Sequence, residues 1–285
     1  MLSPAQQALQ VQIRTSLGVV DAFDAPAEVA RRVDFLVHCL QRTGAQGLVL
    51  GISGGVDSLV AGLLAQRAVQ RVRALGRPAQ FVAMRLPCGK QADEADAQAG
   101  LALIQPDETL VVDIEPAASA LLGALTGAGL AFRDPARQDF IHGNIKARER
   151  MVAQYAVAGA RGALVVGTDH AAEALMGFFT KYGDGAADVM PLAGLNKRRV
   201  RALGLAMGAP DALVFKVPTA DLEALRPLKP DEEAFGVTYE QIDDFLEGRE
   251  IPPEAWDTII AAWRASAHKR AMPVSPLTLA HGAHH

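Results

Sequence analysis

The chain has 285 residues, is 50% hydrophobic with only 5% aromatic residues, and carries a net charge of −4. Such a length holds one large or two small domains, and an Ala- and Leu-rich composition poor in aromatics favours helices packed on a sheet over an all-β fold. The near-neutral charge excludes non-specific nucleic-acid binding through basic excess, and two cysteines, Cys39 and Cys88, are too few for a disulfide framework or a zinc site.

In chain order, Met1 to Ala30 carries acids and glutamines without a continuous apolar core, so it is not a signal peptide. Residues 5–17 and 27–42 read as two amphipathic helices, with Cys39 as a small core residue in an apolar stretch. Strand-like runs follow at 47–52, 81–85, 109–112 and 163–167, with helical segments at 59–75, 91–104, 115–128 and 144–160 between them. This alternation predicts an α/β fold: a doubly wound parallel sheet flanked by helices, Rossmann-like, with ligands at the carboxyl ends of the strands. After Glu173 the strand rhythm stops, and a glycine-rich polar loop runs from Lys181 to Asp188. Helices are expected at about 196–207, 238–246 and 253–269. Between them, 218–236 is charged, Pro-rich and aperiodic, and reads as a mobile lid on a single domain covering 1–285. The terminal histidines from His281 onward are given no metal role. No run of about eighteen uninterrupted apolar residues is present, so no membrane span is expected. A free thiol at Cys88 suits a reducing, cytoplasmic location.

The most informative segment is Ser53-Gly54-Gly55-Val56-Asp57-Ser58, between the first strand of the sheet and a helix. A strand, a glycine turn and a helix N-terminus make an anion cradle, because backbone N–H groups approach a phosphate closely and the helix dipole favours its charge. The lysine of the common ATPase loop is missing and an acid, Asp57, stands in the loop instead. A carboxylate beside a polyphosphate repels it unless a cation intervenes, so Asp57 predicts Mg²⁺. Glu173, in Gly167-Thr168-Asp169-His170-Ala171-Ala172-Glu173, follows the last strand and is the natural second ligand on the same sheet edge. Asp169 and Glu173 would also suit the positive end of a helix, and His170 reads as a polar residue in a first helical turn. Lys146, Arg148 and Arg150 are two apart on one helix, so one or two of them serve a ligand and the others face solvent.

These motifs carry a resemblance. Gly51-Ile52 before the serine loop, Arg85-Leu86-Pro87 with Gln91, Gly143-Asn144, the Gly167–Glu173 run, Gly177-Phe178-Phe179-Thr180-Lys181-Tyr182-Gly183-Asp184-Gly185, Asn196-Lys197, Pro218-Thr219-Ala220-Asp221 and His268-Lys269-Arg270 occur in one order over nearly the whole chain. In this the chain resembles the bacterial ammonia-dependent NAD synthetases, a branch of the N-type ATP pyrophosphatases. The resemblance implies amidation of deamido-NAD with ammonia through an adenylated nicotinate carboxylate, with release of pyrophosphate and AMP.

Residue by residue, the resemblance implies that Gly51, Ile52, Ser53, Gly54, Gly55, Val56, Asp57 and Ser58 hold the pyrophosphate end of ATP. It implies ATP contacts for Thr168, Lys197 and Thr219, an adenosine side lined by Arg85 and Gln91, and Asp57 and Glu173 as Mg²⁺ ligands. Arg148, Lys181, Asp188, His268 and Lys269 match positions that bind deamido-NAD, in a homodimer whose dinucleotide site lies at the subunit interface. Catalysis would be orientation and electrostatics, with Lys197 neutralising charge and Asp169 binding or deprotonating ammonium. Val56, Ile145, Cys88 and Ala193-Gly194 depart from the family's usual residues, and none touches the implied metal pair. The rival readings are a tRNA-modifying ligase of the same superfamily, which would need basic surfaces, a glutamine-dependent synthetase, for whose glutaminase domain no room is seen, and a degenerate nucleotide-binding module.

Overall fold

Two helices open the chain: α1 (Pro4–Ser16), begun by a Ser3 capping box, and α2 (Ala25–Thr43), capped by Asp24 and ended by a left-handed Gly44. The computed structural model describes residues 2–89, 93–220, 225, 229–271, 273, 275 and 276. Next come β1 (Gly47–Gly51), α3 (Val56–Ala74), β2 (Gln80–Arg85), α4 (Glu94–Ile104), β3 (Glu108–Val111), α5 (Glu115–Gly127), α6 (Pro135–Arg161) and β4 (Ala163–Val165). The remainder is helical apart from one ribbon: α7 (Ala171–Met176), α8 (Lys197–Ala206), α9 (Asp211–Val214), β5 (Thr219–Ala220), β6 (Lys229–Pro230), α10 (Asp231–Phe235), α11 (Tyr239–Leu246), α12 (Pro253–Ala265) and α13 (Ala267–Arg270).

The strands form a parallel sheet in the order β3-β2-β1-β4, with Leu48 opposite Phe81 and Leu164. Both faces are covered, so the inner strands carry apolar runs, Leu48–Leu50 and Phe81–Met84, rather than alternating. Leu48, Leu50, Phe81 and Ala83 join a core with α2, α3 and α8, while Val49, Val82 and Met84 pack the other way against α5 and α6. A third core gathers α1, α7 and α10 to α12 around Leu175, Phe245 and Trp256. The strand order reverses between β1 and β4, and such a switch point leaves a crevice beyond the carboxyl ends of those strands.

The doubly wound sheet appears as the sequence predicts, with differences at several ends. Helix α6 begins at Pro135, nine residues before the expected 144, because Asp134 caps Arg137 and Pro135 fits the first turn. Helix α3 begins at Val56 rather than 59. Strand β4 ends at Val165, and Val166 continues only as an isolated bridge to Val189. The expected helix 253–269 is two, divided at Ser266; the helix expected to start at Glu173 is α7, which begins at Ala171 with His170 as its N-cap rather than in its first turn; and α9 was not anticipated. Within 218–236 the described residues are not aperiodic: they form the antiparallel β5–β6 ribbon and α10. Residues 221–224 and 226–228 of that stretch lie outside the described residues, as does Gln91. Among the described residues no helix is long and apolar enough to cross a membrane.

Candidate active site

The turn after β1 is held by its own serines. Ser53 N–H donates to Ser58 Oγ at 3.2 Å, Gly55 N–H donates to Ser53 Oγ at 3.2 Å, and Ser58 Oγ–H donates to Gly55 O at 3.1 Å. Gly54 has a left-handed φ of +91°, and a Cβ there would lie 3.1 Å from both Ala97 N and Asp93 O, so only glycine lets α4 pack on the loop. Gly55 is the N-cap of α3 and supplies no capping side chain. The first turn of α3 thus presents backbone donors to the crevice, and Val56, a departure from the family pattern, serves there as buried backbone support.

Above the loop opens a cavity of about 430 Å³, lined by Ser53, Asp57, Arg85, Thr168, Glu173 and Thr219 among others. The two acids meet in it. Asp57, Glu173 and His170 each offer a donor atom, and the three atoms lie within 4.8 Å of one another. The Asp57 and Glu173 side chains are 18% and 16% exposed, onto the cavity. Lys197, 1% exposed, reaches Asp57 Oδ2 at 2.7 Å from the first turn of α8. That turn is fixed by Asp243, which accepts from the backbone N–H groups of Lys197 and Arg198. The Tyr239 ring lies 4.9 Å from the Lys197 ammonium, and Tyr239 O–H donates to Asp231 Oδ2 at 2.9 Å.

His170 is the N-cap of α7, an unusual residue in that role. Its Nδ1 accepts from Glu173 N–H at 3.4 Å, and the Glu173 carboxylate accepts from His170 N–H at 3.4 Å. An Nδ1 that accepts leaves the ring proton of the neutral form on Nε2. That atom faces Asp57 Oδ1 at 3.4 Å and Glu173 Oε2 at 3.6 Å. Asp57 Oδ1 and His170 Nε2 are buried without a hydrogen-bond partner.

The electrostatics separate the two acids. Burial alone would raise Asp57, but Lys197 and His170 hold its carboxyl below the ordinary range. Burial pushes Glu173 up to about 8, His170 pulling against it and the Asp57 charge adding to it. Burial lowers Lys197, yet Asp57 and Glu173 outweigh it and the ammonium is raised.

The second half of the site is assembled from α6, the Gly177–Thr180 turn and α13. Arg148 donates to Lys181 O at 3.2 Å, and Lys181 Nζ donates to His268 O at 2.6 Å. Lys269 Nζ donates to Gly177 O and Phe179 O and lines the cavity. Of these predicted dinucleotide residues Lys269 lines the cavity, while Arg148, Lys181 and His268 lie off its wall, as does Asp188, which is exposed and accepts from Val165 N–H at 2.8 Å. Asp169 is buried and also off the cavity wall, its carboxyl pushed well above the usual range by burial, then by Asp184 and Asp57. Asp184 is on the wall, accepting from Thr180 N–H at 2.9 Å, and the protein around its carboxyl raises it as well. Arg85 forms part of the floor, bonded to Ile52 O and, at 2.6 Å, to Glu94.

Sequence reasoning missed His170 as a contact of both acids, Asp184, Asp231 with Tyr239, and Lys216. For His170 a signal existed: a residue three before a glutamate at a strand-to-helix junction is an N-cap candidate.

A family model described as NAD synthase matches residues 28–273. The chain is 63% identical over 276 residues to the NH(3)-dependent NAD(+) synthetase of Streptomyces coelicolor, covering 97% of this chain and 100% of that one. The NAD+ synthetase structure from Burkholderia pseudomallei superposes with a TM-score of 0.83 at 57% identity, covering 96% and 100% of the two chains. An NMN synthetase from Francisella tularensis gives a TM-score of 0.78 at 35% identity, covering 90% and 99%.

Proposed function

The chain belongs to the NAD synthase family, and from that premise we propose that it amidates the nicotinate carboxylate of deamido-NAD with ammonia, spending ATP and releasing AMP and pyrophosphate. A carboxylate is a poor acyl donor because its leaving group would be oxide, and adenylation substitutes AMP. The observation that carries this reading is the joining of the glycine loop to the Asp57–Lys197–Glu173 centre in one cavity, long enough to continue to Lys269 and Asp184.

In this reading the backbone of Gly54 to Ser58 cradles the pyrophosphate end of ATP, and Lys197 balances charge that develops as the α-phosphate is attacked. Thr168 and Thr219 line the nucleotide half, Arg85 borders the adenosine side, and Arg148, Lys181, His268 and Lys269 orient the dinucleotide. Arg148, Lys181, His268 and Asp188 would reach it from outside the cavity wall. The donor set fits a hard cation: two carboxylates converge, and Asp57 Oδ1 is buried without a partner. Asp57 and Glu173 would hold Mg²⁺, which when bound supplies charge neutralisation at the phosphates. His170 turns Nε2 toward both acids, 3.4 Å from Asp57 and 3.6 Å from Glu173, without a hydrogen bond to either. For ammonium, Asp184 replaces Asp169 as the acceptor, since it lines the cavity and Asp169 does not.

We extend the proposal to assembly. Exposed Val111, Leu121, Phe140 and Val152 lie on β3, α5 and α6, with exposed Leu130 on the connection between α5 and α6, and Phe140 also borders the cavity. A second copy covering these elements would bury that apolar surface and close the dinucleotide half of the site. Among the described residues of 218–236, Pro218, Thr219, Lys229, Asp231 and Ala234 line the cavity and serve as part of its cover.

The test is pyrophosphate release with deamido-NAD or nicotinate mononucleotide as acceptor and NH₄⁺ or glutamine as donor. The reading expects release and amide product with deamido-NAD and NH₄⁺. Turnover with only glutamine, or only the mononucleotide, refutes it.

A further inference from the structure

The glycine loop lacks a lysine of its own, yet a second cavity lysine besides Lys197 approaches it. Lys216 lies three residues before Thr219 and lines the same cavity. Its ammonium is 3.5 Å from Gly54 O and 2.6 Å from Asp96 Oδ2. Asp96 sits in the first turn of α4, the turn that packs against Gly54. The ammonium therefore stands at the rim of the loop read as the phosphate cradle, held by an acid on the neighbouring helix.

The pair is built to exchange. The Lys216 side chain is 25% exposed and that of Asp96 is 41%, and ion pairs this open to water contribute little. A phosphate chain entering the loop brings several negative charges and several acceptor oxygens, a stronger partner for a flexible ammonium than one half-solvated carboxylate. Lys197 is shared with Asp57 at 2.7 Å, so an ammonium at the loop rim would add to the charge that Lys197 supplies.

We propose that Lys216 is a further phosphate-binding residue, which leaves Asp96 to pair with the pyrophosphate end of ATP, while Asp96 competes for the ammonium in the free protein. This rests on the ATP-binding reading above, and the experiment separates the two.

Calorimetric titration of the intact protein with Mg-ATP, with inorganic pyrophosphate and with adenosine tests it. Lys216→Met weakens ATP and pyrophosphate by about tenfold and leaves adenosine unchanged, while Lys216→Arg retains most of the affinity. Asp96→Asn removes the competitor and tightens both phosphate ligands by about threefold. Opposite signs are the signature, because a merely structural ion pair broken from either side would shift affinity in one direction. Pyrophosphate binding by Lys216→Met as tight as that of the unaltered protein, or weakened binding in Asp96→Asn, overturns the inference alone. Failure of the unaltered protein to bind either ATP or pyrophosphate overturns the ATP reading and the inference together.

Discussion

Lys197 Nζ and Asp57 Oδ2 lie 2.7 Å apart although 140 residues separate them in the chain. The sheet makes this possible: Asp57 follows β1, and Lys197 opens α8, which packs against α3 in the core on one face of the sheet. Lys197→Met leaves Asp57 facing Glu173 with no cation between them. Loss of one member of a buried pair costs about 3–5 kcal/mol, and the opening of this pair onto the cavity places the loss at the low end. Turnover should fall by about 10²–10³, the scale seen when one preorganised charge-stabilising donor is removed. Asp57→Asn combined with Lys197→Met should recover stability without recovering turnover. Urea unfolding and pyrophosphate release measure the two effects, and a double variant no more stable than Lys197→Met would refute the pairing argument.

Glu173 sets a pH dependence. Its carboxyl, ordinarily near 4.5, is raised to about 8 in the metal-free fold by burial. The folded protein therefore binds this proton more tightly than the unfolded chain does. The resulting stability is fully present below 4.5 and is lost as pH rises through 8. A cation held by Asp57 and Glu173 needs the carboxylate form, so its binding should release close to one proton at neutral pH and almost none above about pH 9. Calorimetry with Mg²⁺ in buffers of different ionisation enthalpy counts that proton. Equal release at both pH values would remove Glu173 from the metal argument.

Gly177 couples the fold to the dinucleotide half. It ends α7 with φ +62°, and a Cβ there would lie 2.1 Å from Ser266 Cβ. Ser266 joins α12 to α13, which carries His268 and Lys269. Gly177→Ala should destabilise by about 2–4 kcal/mol, combining a left-handed penalty with an overpacking penalty. It should also raise KM for the dinucleotide more than for ATP. Adding Ser266→Gly removes the clash but not the backbone strain, so it should restore only part of the stability. Thermal melting of both variants decides this.

What the sequence made legible follows from periodicity and local chemistry. The inner strands announced themselves as apolar runs, and the switch-point rule was enough to place Asp57 and Glu173 on one rim. What stayed hidden depends on partners distant in sequence. Asp184 and Asp188 sit in the same glycine-rich stretch, and only the backbone path shows Asp184 on the cavity wall and Asp188 bonded to Val165. Tyr239 matters because Lys197 passes its ring and Asp231 accepts a hydrogen bond from its hydroxyl, contacts with no local signature. The early start of α6 was different: Asp134-Pro135 is a local helix-start signal that the reading of 144–160 did not use.

The apolar surface of α5 and α6 predicts an oligomeric state. Val152 is among its most exposed residues. Val152→Arg puts a charge where a second copy would bury it, and an unpaired interfacial charge weakens association by several kcal/mol. Sedimentation velocity should show a dimer for the unaltered protein and a shift toward monomer for the variant. A monomeric unaltered protein, or an undisturbed dimer in the variant, would place the contact elsewhere.

Asp184 and Asp169 can be told apart by which half of the reaction each affects. Asp184 faces the cavity and accepts from Thr180 N–H, a bond an asparagine also accepts, so Asp184→Asn keeps the turn while removing the proton acceptor. A group that takes a proton from ammonium is needed only after the carboxylate has been activated. Asp184→Asn should therefore leave ATP–pyrophosphate exchange, the sign of adenylation, close to normal. It should lower kcat/KM for NH₄⁺ by about 10²–10⁴, the range for loss of a positioned acid–base group. Asp169 is buried off the cavity wall, so Asp169→Asn should act through the fold and depress both half-reactions together. The reverse pattern, with exchange intact and ammonia use lost only in Asp169→Asn, would return the proton-accepting role to Asp169.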